Sequence, residues 1–280
     1  MSSKRFRVAL VQFTAGPEPD ANLAAIAELA RRARADGAEF LLTPENTEFM
    51  ERDDAAKLAR AQPEDGHRAL AQAREIAAAT GLWLLIGSLA VRMPGEKRVA
   101  NRSYLLNPNG EISAYYDKIH LFDVDLPGRE SYRESASVAP GARAVTAELP
   151  WGRLGLSVCY DLRFPQLYRA LAKAGAQFLA VPSAFTVPTG KAHWHVLLRA
   201  RAIETGAFVF APAQTGTHAG GRRTFGHALI VSPWGEVLAD AGDAPGLIAA
   251  EIDPALVAEA RQAIPALTHD RAFAGPATNP

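Results

Sequence analysis

Cysteine is almost missing from this chain: Cys159 is the only one in 280 residues. That excludes an internal disulfide framework and any multi-cysteine zinc or iron–sulfur site. Charge of one sign is missing too. Thirty Lys+Arg balance thirty Asp+Glu, and the pI is about 7.1. The electrostatic footprint of a nucleic-acid binder is therefore absent. No like-charge block suggests a polybasic membrane anchor or an acidic tail. Long hydrophobic runs are lacking as well. The longest, Leu82 to Val91, is about half a membrane span and contains Gly87 and Ser88. From Met1 to Phe13 no long apolar stretch or small-residue cleavage pattern marks a leader. The expectation is a soluble, cytoplasmic protein with neither nucleic-acid nor membrane partners.

What is present reads as a layered α/β protein. Short apolar runs alternate with helical patterns. Strands are expected at 6–12, 39–43, 82–88, 153–158, 177–181 and 207–212. Asp20 is positioned to cap a helix whose Leu23, Ile26, Leu29 and Ala30 share one face, with Gly37 ending it. Further helices are expected at 66–80, 165–174, 191–205 and 254–262. No Gly/Ser linker divides the chain, which predicts one domain over 1–270. The Ala-, Gly- and Pro-rich residues 271–280 are expected to form a loosely held tail.

Two segments match. Leu106-Asn107-Pro108-Asn109-Gly110-Glu111-Ile112 parallels Val231-Ser232-Pro233-Trp234-Gly235-Glu236-Val237. Each joins two apolar runs through a Pro-x-Gly turn, as a β-hairpin would. Such turns are common, but their recurrence halfway along is what two similar halves would produce.

Three positions suggest chemistry. Cys159 ends the run Leu154-Gly155-Leu156-Ser157-Val158 and precedes Tyr160-Asp161-Leu162-Arg163-Phe164-Pro165. A strand stopping before a helix puts its sulfur at the carboxyl edge of a sheet, where ligands bind. The helix start would favour thiolate. By position alone, a lone cysteine serves equally well as a small buried hydrophobe. Glu45 follows a strand in Leu42-Thr43-Pro44-Glu45-Asn46, and Pro44 marks the strand end. Lys118 sits among aromatics in Tyr115-Tyr116-Asp117-Lys118-Ile119-His120-Leu121-Phe122. An ammonium near a thiol favours thiolate and can later face an oxyanion. Taken separately, Glu45 also reads as a turn residue and Lys118 as a surface lysine.

The seven histidines identify neither a base nor a metal site. His193 and His195 are two apart, roughly 200° around a helix, and cannot share a metal. His120 and His227 suit structural hydrogen bonds. The loop Thr217-His218-Ala219-Gly220-Gly221-Arg222-Arg223 looks less tied to the framework and is placed to line an entrance. Its glycines lack the strand and helix of a phosphate-binding loop. No metal or cofactor is expected.

The combination of Pro-Glu45, Asp-Lys118-x-His-Leu-Phe and Cys159-Tyr-Asp-x-Arg-Phe-Pro resembles the nitrilase superfamily of carbon–nitrogen hydrolases over nearly the whole chain. The likeness is greatest to the amidase branch containing omega-amidase and deaminated glutathione amidase. Phe122-Asp123-Val124-Asp125, Arg133-Glu134-Ser135, Arg199-Ala200-Arg201-Ala202-Ile203-Glu204 and Gly226-His227 match it too. The resemblance implies a four-layer αββα sandwich and a homodimer. It implies Cys159 as nucleophile, Glu45 as general base, Lys118 as oxyanion stabiliser and Glu134 as the glutamate orienting Lys118 or water. The backbone N–H of Tyr160 would join Lys118 at the oxyanion. Arg163, one helical turn beyond Cys159, has two readings: it binds a substrate carboxylate or it pairs with a helix neighbour.

The implied reaction is thiol-dependent hydrolysis of the terminal amide of a small carboxylate-bearing compound through a thioester. Deaminated glutathione ranks first as substrate and 2-oxo-dicarboxylic monoamides second. An N-carbamoyl amino acid hydrolase or a nitrilase uses the same chemistry. A non-enzymatic scaffold on this fold would have lost a catalytic residue, and all four are present.

Overall fold

A computed structural model describes residues 4–51, 53–125 and 131–276. In chain order the first half holds β1 (Phe6–Phe13), α1 (Pro19–Ala35), β2 (Phe40–Leu42), α2 (Asp54–Arg60), β3 (Gln62–Pro63), α3 (Arg68–Thr80), β4 (Trp83–Arg92), β5 (Val99–Leu106) and β6 (Ile112–Asp117). A two-stranded ribbon, β7 (Asp123–Asp125) and β8 (Ser131–Arg133), follows, then β9 (Val145–Leu149). The second half holds β10 (Gly152–Leu156), α4 (Pro165–Lys173), β11 (Phe178–Ala180), α5 (Val187–Thr205), β12 (Phe208–Ala211), β13 (Ala213–Thr217), β14 (Arg223–Phe225), β15 (Leu229–Val231) and β16 (Val237–Asp240). β17 (Gly246–Ile252) and α6 (Ala255–Ala263) close the chain.

One sheet runs β14-β13-β1-β2-β4-β5-β6, with β17 antiparallel to β1 and β3 beside β4. The other runs β16-β15-β12-β11-β10-β9. Alternation along β1 explains the layering. Val8 and Leu10 enter the core between the sheets, whereas Ala9 and Val11 enter the core under α1 and α3. A strand covered on both faces must read as an unbroken apolar run, as 6–12 does. Phe6 stacks on Trp151 at 4.2 Å, and Phe178 and Phe210 add stacked rings to this middle layer. Helices α4 and α5 pack their Leu167, Leu171, Leu198 and Ala202 onto the second sheet. The four layers are therefore helix, sheet, sheet, helix.

The paired segments are matching hairpins. β5–β6 and β15–β16 are antiparallel, and each carries a register shift beside its turn. In both, the side chain before the proline caps the turn: Asn107 Oδ1 accepts the N–H of Asn109 and Glu111, and Ser232 Oγ accepts those of Trp234 and Glu236. Each turn glycine has φ near +80°, a region that favours glycine. Each also docks on a helix, where Arg74 Nε donates to the Gly110 carbonyl and Arg199 Nε to the Gly235 carbonyl, both at 2.8 Å. The two halves thus repeat one β-α-β-α-β-hairpin skeleton.

Three expectations change. Helix α1 begins at Pro19 behind an N-cap at Glu18, so Asp20 lies in the first turn, where it still complements the dipole. Helix α5 starts four residues earlier than expected because Pro188 suits a first-turn position. The 217–223 loop is tied down. His218 is buried, with Nδ1 against the Ala15 carbonyl at 2.9 Å and Nε2 against Thr224 Oγ1 at 2.7 Å. Residues 271–276 run exposed without regular structure. The remainder of the expected tail, 277–280, and residues 1–3 lie outside the described residues.

Candidate active site

Glu45 lies just past the carboxyl end of β2 and is buried. The turn that holds it is built from hydroxyls and a glycine. Thr43 Oγ1 meets Thr47 Oγ1 at 2.7 Å, and Thr47 Oγ1 donates to the Pro44 carbonyl at 2.6 Å. Beneath it passes Gly87 of β4. A Cβ there would come within 2.2 Å of the carbonyl oxygens of Thr43 and Pro44, so only glycine allows this approach. Gln214 of β13 donates from Nε2 to the Glu45 carbonyl at 3.0 Å. The position of Glu45 is therefore fixed by backbone contacts.

Cys159 opens a 3-10 turn, Cys159–Arg163, after β10. Its φ is +51°, in the left-handed region that non-glycine residues rarely occupy, and its N–H donates to the Pro182 carbonyl at 2.9 Å. Asp161 holds that turn in place. This fully buried carboxylate accepts the Val158 N–H, the Tyr116 hydroxyl and the His120 N–H at 2.7–3.0 Å, and lies 2.7 Å from His120 Nδ1. Tyr116 and His120 flank Lys118. Asp161 thereby clamps the lysine's segment, on one sheet, to the cysteine's turn, on the other.

Lys118 is 2 % exposed, and its Nζ lies 2.8 Å from Glu45 Oε1 and 2.8 Å from Glu134 Oε2. Asn101 of β5 bridges the same two carboxylates, at 3.0 Å and 3.1 Å. Glu134 also accepts the Phe122 N–H at 2.7 Å. Two acids, one ammonium and an amide are thus interlocked beside the thiol.

Their charges follow from that arrangement. Burial opposes the charged form of Lys118, but Glu134 and Glu45 outweigh it and hold the ammonium's pKa well above the usual lysine value. Burial would raise Glu134, yet Lys118, the Phe122 N–H and Asn101 keep it below the usual carboxylate range. The Cys159 thiol is pushed up, first by burial and then by the neighbouring Glu45, against the opposing pull of Lys118 and the Ala184 N–H. The thiolate favoured by a nearby ammonium and a helix start is therefore not the resting form. The thiol holds its proton more tightly than a free cysteine does.

These groups open into a cavity of about 310 Å³, lined by Glu45, Lys118, Glu134, Cys159 and Tyr160 among others. Arg163 is not among the lining residues. Its guanidinium rests on the Tyr160 and Phe185 rings and lies 3.3 Å from His193 Nδ1. The lining includes Arg222 instead, from the loop expected at the entrance. Sequence reasoning missed Asn101, Asp161 and Gln214. Asp161 had a signal, since it lies two residues past the cysteine. Asn101 and Gln214 enter from distant strands with none.

The histidines stay outside this cavity. His195 and His227 meet Asp240, with Nε2 and Nδ1 each 2.9 Å from its carboxylate. Their possible ligand atoms lie within 4.8 Å of one another. This grouping crosses three elements, so spacing along one helix did not reveal it. Asp240 is already engaged by both rings, and the cluster serves as a clamp between α5 and the β15–β16 hairpin.

Comparison with known proteins gives a consistent picture. The carbon-nitrogen hydrolase family model matches residues 7–262. A deaminated glutathione amidase from Synechocystis sp. is 44 % identical over 274 residues, covering 95 % of this chain and 98 % of that one. The crystal structure of the C. elegans NitFhit protein superposes with a TM-score of 0.89 at 35 % identity, covering 97 % of this chain and 66 % of that longer one. An amidase from Nesterenkonia sp. AN1, in which acrylamide has added to the active-site cysteine, gives a TM-score of 0.78 at 31 % identity over 92 % of this chain and 98 % of that one. Among the described residues no helix is long and apolar enough to cross a membrane.

Proposed function

This chain belongs to the carbon–nitrogen hydrolase family, and from that premise we propose that it hydrolyses the terminal amide of a small carboxylate-bearing compound, deaminated glutathione first and 2-oxo-dicarboxylic monoamides second. The observation that carries this reading is the placement of Glu45 and Glu134 each within hydrogen-bond distance of Lys118, in a cavity that also presents Cys159.

Glu45 takes the thiol proton as Sγ attacks the amide carbon, so charge separation is confined to the moment of reaction. The oxyanion is met by Lys118 Nζ and the Tyr160 N–H. Lys118 is already charged and held, so little reorganisation is needed. Glu45 then hands its proton to the departing nitrogen, which leaves as the amine of cysteinylglycine from deaminated glutathione or as ammonia from a primary amide, and a thioester remains. Water gives a proton to Glu45 and adds to the thioester carbon. Collapse expels the sulfur, which recovers the proton, and the acid leaves. Glu134 stays ionised throughout and with Asn101 keeps Lys118 aimed. Every proton transfer is assigned to a residue of this chain, and the scheme needs no cofactor.

A reduced nucleophilic thiol suits the cytoplasm. Apolar side chains on the second half, Val196, Ile203, Trp234, Val237 and Leu238, are exposed along α5 and the β15–β16 hairpin, which supports a homodimer through that face. Light scattering tests the assembly, with Trp234→Glu expected to yield monomer.

The activity is tested by 2-oxoglutarate release from deaminated glutathione and by ammonia release from 2-oxoglutaramate, glutamine, an N-carbamoyl amino acid and a simple nitrile. Turnover of an ω-amide that vanishes in Cys159→Ala is the expected result. Silence of folded protein across the panel would overturn it.

A further inference from the structure

The cavity holds a cation that the scheme above does not use. Four cationic residues line it: Lys57, Lys118, Arg133 and Arg222. Lys118 is committed to Glu45 and Glu134, Arg133 binds both oxygens of Asp125 at 2.6 and 2.7 Å, and Lys57 lies 3.5 Å from Asp54. Among the described residues no carboxylate pairs with Arg222. Its NH2 group donates to the Ala184 carbonyl at 3.0 Å, and its guanidinium lies 5.5 Å from the Tyr132 ring centroid. Its Nε–H is buried with no hydrogen-bond partner. A buried donor of a permanently charged group is costly to leave unmet, and a fork of parallel N–H donors fits a carboxylate.

The anchoring is informative. Ala184 lines the same cavity as Cys159 and presents its carbonyl to Arg222, so the unpaired guanidinium is fastened to the wall of the site that holds the reacting sulfur. The loop carrying Arg222 is fixed by His218, and the His218 N–H donates to the Arg222 carbonyl at 2.8 Å. The cation is thus held at a set distance from the nucleophile.

We propose that Arg222 is the specificity residue that binds the substrate carboxylate, through Nε and the guanidinium edge turned away from Ala184. This assignment rests on the amidase reading and makes the site selective for amides whose far end carries an anion.

The test compares glutaramate with valeramide, which replaces the carboxylate by a methyl group, and measures glutarate binding by calorimetry. In Arg222→Leu the kcat/KM ratio of glutaramate to valeramide is expected to fall about a hundredfold, with a parallel loss of glutarate affinity. Should that variant not fold, Arg222→Lys, still cationic but without the fork, is expected to lower the ratio about tenfold. An unchanged ratio with unchanged glutarate binding, in either folded variant, overturns the proposal while leaving the amidase reading intact. Wild-type protein that hydrolyses neither amide, yet binds glutarate in an Arg222-dependent manner, would instead sink the amidase reading and keep Arg222.

Discussion

The two halves share a skeleton and differ in what they place on it. Strand registers pair Leu42 of β2 with Leu10 and, equivalently, Ala180 of β11 with Leu156. Thr43-Pro44-Glu45 in the first half therefore corresponds to Val181-Pro182-Ser183 in the second. The first turn presents a buried acid to the cavity. The second supports the nucleophile, through the Pro182 carbonyl that receives the Cys159 N–H, and its Ser183 hydroxyl merely donates to the Val181 carbonyl at 2.9 Å. Past the hairpins the contrast repeats: the residue after β6 is Lys118, the residue after β16 is Ala241. One half supplies the carboxylate and the ammonium, the other the thiol. A duplicated fold thus yields an asymmetric site because equivalent strand ends converge without equivalent side chains.

The largest effect expected from breaking this asymmetry is at the paired turns. Glu45→Gln should cost about 10³-fold or more in kcat/KM, because it removes the proton acceptor but keeps the shape. Ser183→Ala at the corresponding position should change turnover by less than about threefold, its cost limited to one hydrogen bond of about 1 kcal/mol. Steady-state kinetics of both variants check this, and equal losses would refute the division of labour.

A smaller effect concerns the loops beyond those turns. Three residues on, the first half has Glu48 where the second has Thr186. Burial pushes the Glu48 carboxyl up to about 8, despite the hydrogen bond from the Ala90 N–H, whereas Thr186 pairs its hydroxyl with Thr189. His67, 3.8 Å away, is driven down by burial, so the two face each other as neutral groups. The folded state holds the Glu48 proton more tightly than the unfolded chain. Stability therefore falls as pH rises from about 4.5 to about 8, by up to about 1.4 kcal/mol per pH unit from this group. Glu48→Gln should flatten that slope, so its stability relative to wild type improves towards pH 8. Chemical denaturation across this range measures it, and a parallel pH profile would contradict the assignment.

The smallest contrast lies in the hairpins. A Cβ on Gly110 would meet the Arg74 carbonyl oxygen at 2.4 Å, while one on Gly235 would meet the tip of Ile203 at 2.6 Å. Both substitutions incur left-handed strain of about 1 kcal/mol. Only Gly110→Ala also displaces a helix backbone, so it should destabilise by about 1–2 kcal/mol more than Gly235→Ala. Matching melting temperatures would erase the distinction.

Much of this was legible in the chain. The 6–12 run announced a strand covered on both faces, the matching Pro-x-Gly turns announced the repeat, and residues at strand ends pointed to Glu45, Lys118 and Cys159. What was not legible depends on cross-sheet geometry. The state of the thiol follows from burial beside Glu45, which no local pattern encodes. Asn101 and Gln214 reach the site across 56 and 169 residues of chain. Helical spacing left Arg163 two partners, and its contacts with the Phe185 ring and His193 come from chain beyond that turn's local pattern.

The pairing of β1 with β17 also bears on how the protein is made. Phe6 through Gln12 face Ile252 through Gly246 residue by residue, so one edge of β1, whose other edge takes β2, stays open along most of its length until β17 has been made. Until then an apolar strand has an unpaired edge, the kind of surface that invites association with other chains. The first sheet thus cannot close until β17 has been translated. A truncation before residue 246 should therefore yield an insoluble product, even though Glu45, Lys118 and Cys159 would all have been translated.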